Sequence, residues 1–158
     1  MKYQILKGVA MLMFVVVPTV VSAIAPADAH STRLVRADVP FQFIVGDKTL
    51  PAGKYDVASI NTEGDALSIR SADCRNTAVR LTNSIEPKKN NTEARLVFHR
   101  YGQRYFLAEI WRGGDNTGRS LQKSREERAI ERELATMTSG KNLAKNTYEV
   151  VEIVAMVN

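Results

Sequence analysis

The amino-acid sequence predicts a mainly β fold: a single antiparallel barrel or sandwich of about seven strands, with one α-helix in the C-terminal half. Three observations carry this. Short runs rich in β-branched and aromatic residues recur between clusters of Gly, Pro, Asn and Asp from Val35 to Thr82. Leu96 to Trp111 (LVFHRYGQRYFLAEIW) reads as two strands around Gly102-Gln103, a two-residue turn with Gly first, as a type II′ hairpin prefers. The period then changes after Ser124, where apolar residues recur at helical spacing.

In chain order, Val35, Ala37, Val39, Phe41, Phe43 and Val45 alternate with Arg36, Asp38, Pro40 and Gln42, Ile44 being the exception. Period two over this length predicts one half-buried strand. Pro40 has no N–H to give a neighbour, which puts this strand at an edge or puts a bulge at Pro40. Leu50-Pro51-Ala52-Gly53 fits a type I turn. Tyr55 to Ser59, Ala66 to Ser71 and Thr77 to Thr82 read as the next strands, parted by turn residues at Asn61–Asp65 and Asp73–Asn76. Asn83 to Ala94, with Pro87, Lys88 and Lys89, reads as an exposed loop. Its Asn90-Asn91-Thr92 matches a glycosylation sequon, a pattern common by chance.

In the hairpin, the turn sets Tyr101 opposite Arg104, His99 opposite Phe106 and Phe98 opposite Leu107. Unbroken alternation then gives one face Leu96, Phe98, Tyr105, Leu107 and Trp111. The other receives Val97, His99, Phe106, Ala108 and Ile110, with Glu109 on the face away from His99. Both faces are apolar, so both need cover. Arg112 to Arg119 (RGGDNTGR) reads as a glycine-rich loop that could wrap an anion or a Ca²⁺ ion, though it lacks the P-loop lysine and the EF-hand's terminal Glu. Ser124-Arg125-Glu126-Glu127 is a capping box. Ile130, Leu134 and Met137 form a narrow apolar stripe, and Gly140 is a plausible stop. Like charges at Glu127/Glu131 and Arg128/Arg132 oppose this helix slightly. Thr147 to Val157 is a final strand, with Val151, Ile153 and Ala155 on one face and Tyr148, Val150, Val154 and Met156 on the other.

The N-terminal residues 1–29 differ from the rest. Lys2 and Lys7 precede the apolar run Val9–Val17, and Ala27-Asp28-Ala29 is a small-residue cleavage pattern. This is the layout of a secretory signal peptide. The expected organisation is a signal peptide over 1–29 and one β-rich domain over 30–158, periplasmic or secreted, with no membrane span after processing. Cleavage removes Lys2, Lys7 and Asp28, leaving 20 basic against 16 acidic residues and a net charge of +4. That mild bias suits an anionic envelope component or another protein as partner, and no nucleic acid is expected. The 44% hydrophobic and 25% charged residues exclude wholesale disorder. Cys74 is the sole cysteine, so no intramolecular disulfide can form.

Candidate site residues cluster on the hairpin: His99, Arg100, Tyr105 and Arg112. Arginine and tyrosine together can bind sugars, phosphates or acidic polymers, and an imidazole can act as a base if a second group orients it. A packed, hydrogen-bonded histidine on a solvated hairpin explains the same residues. One internal His and one Cys do not make a zinc site, and no cofactor motif is present. No G-x-S-x-G, H-E-x-x-H or paired-carboxylate motif occurs, which argues against an enzyme. The expected function is a non-enzymatic binding or envelope-associated structural module. The alternative is a small ligand carrier or enzyme with a pocket near His99 and Tyr105.

VPFQFIVGDKTLPAGKYDV, LVFHRYGQRYFLAEIW and GRSLQKSREER together resemble a family of small exported bacterial proteins that remain uncharacterised. The resemblance spans about residues 35–135, most of the chain beyond the leader. It implies export from a bacterium and transfers no catalytic or binding residue.

Overall fold

The structure is a computed structural model that describes residues 32–86, 93–114, 117–137 and 148–157. The leader, the sequon and Gly140 lie outside the described residues. The elements are β1 (Thr32–Val39), β2 (Phe43–Val45), β3 (Lys48–Leu50), β4 (Gly53–Ser59), β5 (Ala66–Ser71), β6 (Thr77–Ile85), β7 (Arg95–Tyr101), β8 (Arg104–Trp111), β9 (Gly118–Leu121), α1 (Arg125–Met137) and β10 (Glu149–Met156). Eight strands run in the order β8-β7-β10-β1-β4-β5-β6-β9, and β9 pairs back onto β8. Every neighbouring pair is antiparallel, so the sheet closes into a barrel. The sequence prediction of a barrel or sandwich resolves as a barrel.

The expected long strand over Val35–Val45 is two strands. The chain turns at Pro40–Gln42, and β2 leaves β1 to lie parallel to β8 through Ile44 and Phe106. Proline fixes φ and offers no N–H to a ladder, so the break falls where pairing would be weakest. β1 is no edge strand, since β10 and β4 flank it. The β2–β3 hairpin stands in a seam of the barrel. The second half of β6 pairs with β9, while its first half, Thr77–Leu81, pairs with β5 alone among the described residues. Arg80 crosses this seam and donates from Nε and Nη2 to the Val45 carbonyl at 3.3 and 3.1 Å. Lys48 Nζ donates to the Thr77 carbonyl at 2.7 Å. Gly46 has a φ of +62°, and a Cβ there would run into the Arg80 guanidinium.

The β7–β8 turn matches its sequence reading: Tyr101 faces Arg104, His99 faces Phe106 and Phe98 faces Leu107. Gly102 has a φ of +62°, the first-position requirement of a type II′ turn. Beyond Leu107 the alternation fails. A bulge sets Val97 opposite Glu109 and Leu96 opposite Ile110, which leaves Ala108 as the extra residue. Ile110 therefore joins Leu96, Phe98 and Leu107 inside the barrel. Trp111 is carried to the outer face, opposite Arg95. It is still buried. Its ring lies against Gly118, where an added Cβ would stand 2.6 Å from Cε3. Arg95 sits over the ring at 5.7 Å, and Nε1 donates to Glu109 at 2.8 Å.

Side chains fill the barrel: Val35, Val39, Phe43, Tyr55, Val57, Leu67, Ile69, Leu96 and Phe98 form one buried cluster with their neighbours. Eight strands leave an interior just wide enough for such filling. β6 runs on to Ile85, past its predicted end, and Gly118–Arg119, the end of the predicted glycine-rich loop, open an unpredicted strand, β9. Cys74 is an exposed turn residue with a φ of +60°. On β10, Ala155 is buried and Val151 and Ile153 pack inward, while Val150, Val154 and Met156 are exposed.

Candidate functional site

The N-cap of the predicted capping box forms, while the Glu127 carboxylate turns to His99 and Tyr101. Ser124 Oγ accepts the Glu127 N–H at 3.0 Å, so the helix begins where the sequence places it. Ile130 and Leu134 then pack on Ile44, Tyr101 and Phe106. α1 thus covers the outer face of the hairpin at its turn end. Met137, the third residue of the predicted stripe, is exposed at the helix end.

Beneath α1 lies a polar cluster. Glu127, 4% exposed, accepts from His99 Nδ1 at 2.9 Å and from the Tyr101 hydroxyl at 3.3 Å. The same hydroxyl donates to Glu131 Oε1 at 2.8 Å, and Lys123 Nζ pairs with that oxygen. Tyr148 covers the His99 ring with centroids 3.9 Å apart, and Lys123 lies over the Tyr148 ring. Burial, reinforced by hydrogen bonding to Glu131 and two nearby carboxylate charges, pushes the Tyr101 phenol far above its ordinary value. Burial raises the Glu131 carboxyl, but hydrogen bonds from Lys123 and Tyr101 and the Lys123 charge outweigh it and hold it below its ordinary value. The like-charged pair Glu127/Glu131 is therefore not a solvated repulsion. Both carboxylates face the barrel, where a phenol, an imidazole and an ammonium group satisfy them.

Chemically, His99 and Glu127 make the base-and-orienter half of a catalytic arrangement. The side chains gathered around them are Tyr101, Glu131, Lys123 and Tyr148. None is a serine or cysteine nucleophile, and the phenol is held protonated. The bulge also moves Glu109 onto the His99 side of the sheet, since Glu109 stands opposite Val97. Its carboxylate takes the Trp111 N–H. Among the described residues no group of three His, Cys, Asp or Glu side chains could hold a metal ion.

The four residues singled out from sequence do not converge. Arg100 and Tyr105 form a cross-strand pair on the inward face, at the turn end of the hairpin. Tyr105 stacks on Phe41 at 3.9 Å, and Arg100 sits over the Tyr105 ring at 5.5 Å. Arg100 also donates to the Gly102 carbonyl and to Glu149. His99 points to the opposite face, under α1, and Arg112 follows the far end of β8.

A feature not anticipated from sequence is an open cleft of about 490 Å³ beside the helix start. The β2–β3 turn (Gly46, Asp47), β6 (Val79, Arg80, Leu81), the Leu121–Ser124 link, and Arg125 and Arg128 line it. Val79 and Leu81 are 50% and 70% exposed. Arg80 lies 3.5 Å from Asp47. Glu126 is paired with Arg104 and Glu127 is under the helix, so neither first-turn carboxylate neutralises the cleft. Among the described residues, Arg125 and Arg128 form no ion pair. Comparison of the chain with known protein families, with curated proteins and with solved structures finds no match.

Proposed function

We propose that this chain is an exported, non-enzymatic binding or envelope-associated module that engages its partner on the outside of the barrel. The observation that carries the reading is the packed interior, where Val35, Phe43, Leu67, Ile69 and Phe98 occupy the space a carrier would keep for its ligand. The basic start, apolar run and Ala27-Asp28-Ala29 support export to the periplasm or beyond. The resemblance of the three stretches to small exported bacterial proteins supports the same setting.

One arrangement favours the alternative of a small enzyme or carrier: the His99–Glu127 pair. Its neighbours oppose that use, because Tyr148 covers the imidazole and α1 covers the pair. The test is photocrosslinking in an exporting bacterium, with the crosslinker placed at outward positions Val79, Leu81, Val150 and Val154. Adducts with a macromolecule are expected at one or more of them. A small molecule that copurifies with the chain in native mass spectrometry, with no adduct at any outward position, would overturn the proposal.

A further inference from the structure

We infer that the cleft between β6, the β2–β3 turn and the start of α1 is a docking site for an extended, acidic segment of a partner protein that carries apolar side chains. This rests on the surface-binding reading above and names its place and chemistry. Three independent features of the cleft select such an occupant.

The first is charge. Arg125 and Arg128 are exposed and, among the described residues, without an ion pair, while Asp47 is the only acidic side chain lining the cleft. Asp47 already stands beside Arg80, and Lys123 is held by Glu131. The two free guanidinium groups are therefore left for a ligand, and their planar forks match carboxylates. The second is apolar exposure. Val79 and Leu81 are two residues apart on one face of a strand, so they meet alternate side chains of an extended chain laid beside them. A free anion has no use for them, and a membrane would need a broader apolar surface. The third is backbone. Thr77–Leu81 pairs with β5 on one side and with no strand on the other among the described residues. Lys48 already takes the Thr77 carbonyl and Arg80 reaches across to Val45, so it is the Val79–Leu81 part of this margin that is left for an added chain. An added strand can pair at such a margin, the mode in which main-chain bonds give affinity and alternate side chains give specificity.

The test is fluorescence anisotropy on the exported full-length chain, processed as the cell leaves it. The probe is a fluorescein-labelled peptide in which Glu alternates with Val and Leu. The control is the same peptide with Lys in place of Glu. Binding of the acidic peptide at least about tenfold tighter than the basic one is expected, weakening as salt rises. R125E/R128E and, separately, L81D should each weaken it by about tenfold or more, with melting temperatures recorded to show that both variants are folded. L81D lies on the barrel, so it remains informative if the helix variant is destabilised. Equal binding of the two peptides, or full affinity in a folded L81D protein, would overturn the inference. Cosedimentation with phosphatidylglycerol vesicles in the absence of peptide binding would also overturn it, in favour of a lipid surface. Crosslinks confined to Val150 and Val154 would leave the surface-binding reading standing and remove this cleft from it.

Discussion

Glu127→Ala should cost about 2–4 kcal/mol of stability, a large share for a domain of this size. The figure follows from what the carboxylate holds. It is buried and accepts a hydrogen bond from His99 and a longer one from Tyr101. Hydrogen bonds to a charged group contribute about 1.5–3 kcal/mol each. The Tyr101 hydroxyl keeps Glu131 as acceptor, so only the His99 bond is lost outright. To this is added the cost of leaving the His99 Nδ1 without its partner under the helix. Glu127→Gln keeps an acceptor oxygen in place and should cost about half as much. Urea melts followed by both Trp111 fluorescence and circular dichroism would measure this. A lower midpoint with an unchanged slope reports stability alone. Combined with His99→Gln, which alone should lower stability modestly, the cycle should show a coupling of at least about 1 kcal/mol. A Glu127→Ala loss below about 0.5 kcal/mol would mean that α1 does not seat on β7 through this pair.

Trp111→Ala should cost about 3–5 kcal/mol, and Gly118→Ala about 1–3 kcal/mol because the new methyl group meets the indole ring; equal melting temperatures for wild type and Gly118→Ala would place the ring elsewhere. The raised Tyr101 value gives stability that is present below the ordinary phenol range near about pH 10 and is lost as pH rises through it. Tyr101→Phe should flatten that alkaline loss, as read from melts between neutral and alkaline pH. The depressed Glu131 value works in the opposite direction. Its contribution is present above the usual carboxylate range near about pH 4 and fades as pH falls below it, so Glu131→Gln should be less acid-sensitive than wild type. Cys74→Gly relieves a left-handed backbone conformation that costs a side chain about 1–2 kcal/mol. Part of that gain is lost to unfolded-chain entropy, so a small rise in midpoint is expected.

Much of the fold is legible because burial on one face imposes a period. β4, β5, the first half of β6 and the two faces of β10 can be read this way, while turn and cap residues mark the hairpin turn and the helix start. The bulge at Ala108 cannot. Apart from Glu109, residues 105–111 are apolar on both faces, so the one mark a single-residue shift leaves is that unbroken alternation would turn the Glu109 carboxylate inward. That shift alone moves Trp111 out of the barrel and Ile110 in. β9 escapes notice because Gly-Arg-Ser-Leu is short and half polar, and its strand character comes from pairing with both β6 and β8. Pro40 was legible as an irregularity, but whether it kinks or ends a strand depends on β8 offering a second partner. The polar cluster is hidden because Tyr101 lies 26 and 30 residues from its two carboxylates. The cleft is hidden for the same reason, being assembled from three separate segments.

The central claim is that the barrel is filled and that binding happens outside it. Methyl-resolved NMR of the chain tests this directly, with lipid and small-molecule extracts of the cell envelope and the acidic peptide added in turn. The account predicts that Val57, Leu67 and Ile69 methyl signals stay fixed throughout, while Val79 and Leu81 signals move with the peptide. Shifts of Leu67 and Ile69 on adding the small-molecule extract, with Val79 and Leu81 unmoved by the peptide, would contradict it.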